Sequence, residues 1–202
     1  MSFSSVTIVG AGPVSGSIAV AIARLGTPVT IVRAARADLA RVLGRIERRL
    51  GWEVDAGTLS PAESTVIRAR IDAAPDLSAH AAAALVIEST SGDSRSRRAL
   101  LATLEASLSP GSVLAANAPA QDLTALAEVL RRRDQFVGMR FFRAGFAPAP
   151  ASSLVELSLL ADTAPGVSAA CRAFCTRLSK DLVVQAESPP RIGYREYLHG
   201  SA

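Results

Sequence analysis

Cysteine and histidine are scarce in this chain of 202 residues: Cys171 and Cys175, His80 and His199. Two thiols at i and i+4, with no histidine beside them, make a poor metal site, so they read as small buried hydrophobes on one helix and no metal is expected. The histidines read as surface or tail residues. Aromatics make up only 4% of the chain, and single-stranded nucleic acid is gripped by basic grooves interleaved with aromatics, so no nucleic-acid partner is expected. No uninterrupted apolar run approaches the roughly 18 residues of a membrane span. The start of the chain also lacks a basic stretch followed by an apolar one and a cleavage site. A soluble, cytoplasmic protein with no membrane partner is the expectation. Lysine is nearly absent, Lys180 being the only one, so the net charge of +4 comes from arginine. The triplets Arg95/Arg97/Arg98 and Arg131/Arg132/Arg133 fall on or at the ends of predicted helices, where a solvated face explains them.

What is present is apolar. A hydrophobic content of 49% excludes a disordered chain and suffices for one large core. The stretch Ser5 to Gly26, SVTIVGAGPVSGSIAVAIARLG, organises the rest. Val6, Ile8 and Val9 have the β-branched character of a buried parallel strand, and Ile18, Ala19, Ile22, Ala23 and Leu25 recur at helical spacing. Between them stand Gly10 and Gly12, followed by Pro13 and Val14. Gly10 permits a tight turn, Gly12 lets backbone approach a pyrophosphate, and the helix start directs unpaired N–H groups toward it. The third fingerprint position is Ser15, with Gly16 one residue late; either is small enough for the helix to pack closely on the strand.

Further along, Pro28 to Val32 reads as a strand and Ala34 to Leu50 as a helix. Ser60, Pro61 and Glu63 form a helix start signal. Strands are predicted at Ala82–Glu88, Ser112–Ala116, Phe136–Phe142, Leu154–Leu160 and Leu182–Val184. Helices are predicted at Asp93–Leu108, Asp122–Arg132 and Pro165–Leu178. The segment Arg143 to Ser153 reads as a proline-rich flap. Alternating strands and helices predict an α/β fold, a Rossmann-type doubly wound, mostly parallel sheet in a single domain over residues 1–190, with a short tail at 191–202.

The pieces GAGPVSGSIA, ALVIES, SVLAANAP, FVGMRFF and LVEL, in that order between about Val6 and Arg195, resemble the NAD-binding domain of the 3-hydroxyacyl-CoA dehydrogenases. The resemblance implies a dinucleotide held by Gly10, Gly12, Pro13 and Val14. The family's aspartate at the end of the second strand, which binds the adenosine ribose, is here Arg33, with Arg36 close behind. A cation there suits a 2′-phosphate, so NADP is favoured over NAD, unless the cleft has lost its cofactor altogether. The family's catalytic histidine corresponds to Arg140, which stays protonated at working pH and cannot act as a base. Its partner glutamate is retained as Glu156, about four residues further away in sequence, and the natural reading is an ion pair. Asn117 is retained while the neighbouring substrate serine has become Pro119. A second active-site asparagine corresponds to Tyr194, a second glutamate to Gly92, and the lysine near the CoA to Arg97. The resemblance also implies a helical C-terminal domain that helps form the acyl pocket and dimer interface, and the short tail does not supply one.

Three functions remain open on these residues. The first is an altered NAD(P)-dependent reductase or dehydrogenase, in which Arg140 polarises a carbonyl or holds an acid group and Tyr194 donates a proton. The second is a non-redox acid/base enzyme, a cyclase or dehydratase of secondary metabolism, using Glu88 and Glu156 with Arg140, Asn117 and Tyr194 orienting oxygens. The third is a dinucleotide-binding partner subunit or sensor. The substrate is expected to be a small molecule of acyl or polyketide-like type, and a homodimer is an open possibility.

Overall fold

Four-residue runs of buried, mostly β-branched residues make the central strands. The computed structural model describes residues 3–32, 36–76, 82–142, 154–178 and 181–186. β1 (Val6–Val9), β2 (Val29–Val32), β4 (Leu85–Glu88) and β5 (Val113–Ala116) are buried almost throughout. Around them β3 (Ile71–Ala74), β6 (Phe136–Phe141), β7 (Leu154–Leu159) and β8 (Asp181–Ala186) complete one sheet. The strand order is β3-β2-β1-β4-β5-β6-β7-β8. Pairing is parallel from β3 through β6, turns antiparallel between β6 and β7, and is parallel again between β7 and β8. The chain order reverses between β1 and β4, where the crossovers lead to opposite sides, and such a switch point opens a crevice at the strands' carboxyl ends. The doubly wound expectation is met.

Strand alternation sorts the core into two layers. Ile8, Ile87, Ala115 and Met139 face α1 (Pro13–Arg24), α2 (Arg36–Asp55), α3 (Pro61–Ala69) and α6 (Pro165–Leu178). Val9, Val86, Leu114 and Phe136 face α4 (Ser94–Ser107) and α5 (Ala120–Ala127). Glu88, Arg140 and Glu156 share this second parity, so their side chains leave the sheet on the α4–α5 side.

Helix ends follow local chemistry. At Ser60 the predicted start forms a full capping box: the hydroxyl accepts from Glu63 N at 3.2 Å and Ser60 N donates to the Glu63 carboxylate at 2.9 Å. The Ser60 hydroxyl, which also donates to the Glu63 carboxylate at 2.6 Å, and then the Ser60 N–H hold the Glu63 carboxyl below its usual range. α2 runs five residues past the predicted end at Leu50, because Gly51 is tolerated within the helix and the chain turns away only near Gly57, at φ +69°. α5 begins and ends earlier than predicted. Beyond it Arg132 donates to the carbonyls of Glu105, Leu108 and Ser109 at 3.1–3.4 Å, closing the carboxyl end of α4 rather than extending a solvated face. β3 was not predicted: Ile71-Asp72-Ala73-Ala74 has a single β-branched residue and becomes a strand by pairing with β2 at the sheet edge. Gly16 serves a different contact from the one expected. A Cβ there would lie 3.2 Å from Val42 and 3.4 Å from Ile46, so it admits α2 rather than a strand.

Candidate functional site

The turn after β1 follows from what its residues permit. Gly10 has φ +118°, and a Cβ there would fall 2.7 Å from the Ser89 carbonyl oxygen. Only glycine lets β1 end this close to the segment leaving β4. Gly12, in extended conformation, is the N-cap of α1 with no side chain capping the helix, and a Cβ on it would meet nothing within 4 Å. Pro13 starts the helix where its missing N–H costs nothing. The first turn of α1 carries no acidic residue, leaving its partial positive charge uncompensated.

These residues form one wall of a cleft of about 470 Å³. Gly10 to Val14 lie along one side, Ser89, Thr90, Ser91 and Asn117 along the other, and Asp38 at the β2 end. The donor set suits a pyrophosphate: a glycine-bare backbone, an uncapped helix start and hydroxyl-rich opposite residues. The predicted cofactor residues Gly10, Gly12, Pro13 and Val14 are therefore brought together. Arg33 lies outside the described residues, and of Arg36 only its place at the start of α2 is described. Asp38 pairs with Arg41, one turn further along α2.

Below the cleft stands a buried charge cluster. Glu88 has no exposed surface. One of its carboxylate oxygens accepts from the backbone N–H of Thr90 at 2.7 Å and from the Thr90 hydroxyl. The other accepts from Nε of Arg97 at 2.9 Å and from the same guanidinium's Nη2. Arg97 also donates to the Asn117 carbonyl at 3.3 Å. Both oxygens of Glu88 are thus committed, and Arg97, which the resemblance placed near a CoA, is turned inward as its counter-ion. Asn117 joins three segments: its amide nitrogen donates to Ser89 Oγ at 3.0 Å and its amide oxygen accepts from Phe141 N at 3.2 Å.

Beside Phe141, the antiparallel register sets Arg140 directly opposite Glu156. The extra residues between them in sequence fall in the connecting segment 143–153, outside the described residues, and do not offset the pair. Arg140 Nη1 lies 3.8 Å from a Glu156 oxygen, a charge contact rather than a hydrogen bond. The other Glu156 oxygen accepts from Ala120 N at the start of α5, at 3.3 Å. Glu156 is 8% exposed and Arg140 40%, and the guanidinium sits 4.4 Å above the Phe142 ring. Arg140 thus presents N–H donors to solvent at the same end of the sheet as the cleft. Tyr194 lies outside the described residues.

Sequence reasoning did not single out Ser89, Thr90, Ser91, Asp38 or Arg45. A signal for the first three existed, since a Ser-Thr-Ser run directly after a buried strand belongs at the mouth of a crevice. Nothing in sequence marked Arg45, whose Nη2 reaches 34 positions back to donate to the Ala11 carbonyl at 3.1 Å. Among the described residues no three His, Cys, Asp or Glu side chains gather as a metal site, and no helix is long and apolar enough to cross a membrane.

The model of the 3-hydroxyacyl-CoA dehydrogenase NAD-binding domain matches residues 5–188. A probable 3-hydroxybutyryl-CoA dehydrogenase of Deinococcus radiodurans is 33% identical over 150 residues, 74% of this chain and 52% of that one. The fatty acid oxidation complex subunit alpha of Psychrobacter cryohalolentis is 29% identical over 90% of this chain but only 25% of its own length. The chain therefore spans a quarter to about half the length of these relatives. Among solved structures, the (S)-3-hydroxybutyryl-CoA dehydrogenase of Ralstonia eutropha superposes with a TM-score of 0.87 at 28% identity, covering 96% of this chain and 67% of that one.

Proposed function

The chain belongs to the 3-hydroxyacyl-CoA dehydrogenase family, whose NAD-binding domain it carries, and from that premise we propose that it is a biosynthetic oxidoreductase reducing a carbonyl of an acyl or polyketide-like substrate. The observation that carries this reading is the Arg140–Glu156 pair beside an intact dinucleotide cleft. Gly10 to Val14 would hold a reduced dinucleotide, which would supply a hydride to the carbonyl carbon. As negative charge grows on the carbonyl oxygen, Arg140 is the group placed to stabilise it, since guanidinium donates hydrogen bonds and keeps its charge. Glu156, fixed by the α5 start, holds the guanidinium in place without neutralising its outer donors. Water or Tyr194 delivers the proton that completes the alcohol. The oxidative direction is disfavoured, because it needs a base and arginine is none.

NADP is the preferred cofactor in this reading. Arg33 follows directly on β2, the strand over which an adenosine ribose lies in such folds, and the charge of Asp38 is already met by Arg41. Glu88 and Glu156 are both engaged with arginines, which weakens the cyclase or dehydratase reading. The same engagement favours, as the second reading, a dinucleotide-binding partner subunit or sensor that performs no chemistry.

The test is calorimetric titration with NADPH, NADH and their oxidised forms, repeated on Arg33→Asp, with carbonyl-dependent oxidation of NADPH as the activity readout. Binding of NADPH that shifts toward NADH in the variant, together with turnover on a 3-oxoacyl thioester, supports the reading. Binding without turnover on any acyl carbonyl moves the assignment to the partner subunit or sensor. No binding of any dinucleotide at millimolar concentration sinks both.

A further inference from the structure

Arg45 stands in the middle of α2, where Arg41 pairs with Asp38 and Arg49 with Glu53. Among the described residues Arg45 has no carboxylate within ion-pair distance. Its Nη2 donates to the Ala11 carbonyl at 3.1 Å, and its Nε is buried without a hydrogen-bond partner. A partly buried guanidinium with no counter-ion is costly unless something nearby supplies negative charge. The carbonyl it holds belongs to the turn between β1 and α1.

The peptide bearing the Ala11 carbonyl also bears the Gly12 N–H. Peptide bonds here are trans, so the two point in opposite directions. Holding the oxygen toward α2 therefore turns the Gly12 N–H away from α2, toward the cleft that Ala11 and Gly12 line. This donor matters more than usual, because Pro13 brings none of its own. We propose that Arg45 is a positioning residue for the dinucleotide: from the far side of the turn it fixes the Ala11–Gly12 peptide with its N–H presented to the pyrophosphate. The inference rests on the dinucleotide reading given above.

The experiment compares wild type, Arg45→Lys and Arg45→Met by calorimetry with NADPH, ADP and adenosine, with thermal unfolding as the fold control. The methionine keeps the apolar stem of the side chain and removes charge and donors. It is expected to weaken NADPH and ADP at least about ten-fold, the order of one lost charge-assisted hydrogen bond, while adenosine, which lacks phosphate, binds as before. The lysine, keeping the charge, recovers most of the loss. Equal ADP affinity in wild type and Arg45→Met overturns the assignment and leaves the dinucleotide reading intact. So does an equal loss for adenosine, since that marks a general structural role. A wild type that binds none of the phosphorylated ligands overturns the dinucleotide reading and this inference together.

Discussion

Replacing Gly12 with alanine separates folding from binding. The residue sits at φ −70° and ψ 173°, conformations alanine adopts freely, and an added Cβ has open space around it for 4 Å. Alanine is a poorer N-cap than glycine, while a less flexible unfolded chain favours it, so the net change in stability is expected within about 1 kcal/mol. The open space is the cleft itself. A methyl group there holds a pyrophosphate off the backbone and weakens one charge-assisted hydrogen bond, roughly 1.5–3 kcal/mol, or about ten- to a hundred-fold in affinity. Calorimetry with NADPH measures the second quantity and urea unfolding the first. The matched control is Gly10→Ala, where a positive φ and a Cβ 2.7 Å from the Ser89 carbonyl force the chain to shift; a fall in stability of about 2–4 kcal/mol is expected there. A Gly12→Ala protein that binds NADPH as tightly as wild type refutes placing the pyrophosphate on this turn.

Glu88→Gln leaves Arg97, only 11% exposed, without its counter-ion; a loss of about 3–5 kcal/mol is expected in urea unfolding, and a loss under about 1 kcal/mol would show that the pair does not hold β4 to α4. Arg140→His sets an imidazole opposite Glu156, so oxidation of a 3-hydroxyacyl-CoA is expected to appear and to rise with pH as the imidazole loses its proton; a variant that binds dinucleotide yet stays inert at every pH contradicts the placement of the reacting carbon beside residue 140. Burial pushes the Cys175 thiol up to about 12, and burial together with Cys175 pushes Cys171 up further. Both thiols should resist a disulfide reagent in the folded protein and react after denaturation, since the thiolate is the nucleophile. A pKa raised on folding stabilises the protein below the unfolded value and loses that stabilisation as pH rises, so stability measured by urea unfolding should decline above about pH 9. Fast labelling of the native protein would contradict the burial of α6.

The organising stretch was legible because strand, turn and helix differ there in composition: Val6 to Val9 branched, Gly10 and Gly12 bare, Ile18 and Ile22 one turn apart. Edge strand β3 was not, because Asp72 and the alanines after it carry no pattern and pairing with β2 alone makes them extended. Glu88 was visible as a carboxylate at a strand end, but its engagement depends on Arg97, nine positions on, and on Thr90 turning back. Arg45 looked like its neighbours on α2, and what distinguishes it is a contact with a turn 34 residues earlier. Arg33 and Tyr194 lie outside the described residues, and the titration of Arg33→Asp is the test of the first.

The ladder between β6 and β7 fixes Arg140 against Glu156 whatever the length of chain that joins the two strands. Closing a longer connection adds little entropy cost, about 0.6 kcal/mol for each doubling of its length. Insertions and deletions between positions 142 and 154 are thus nearly invisible to the site. The length of that connection is therefore free to drift while the charged pair stays in register.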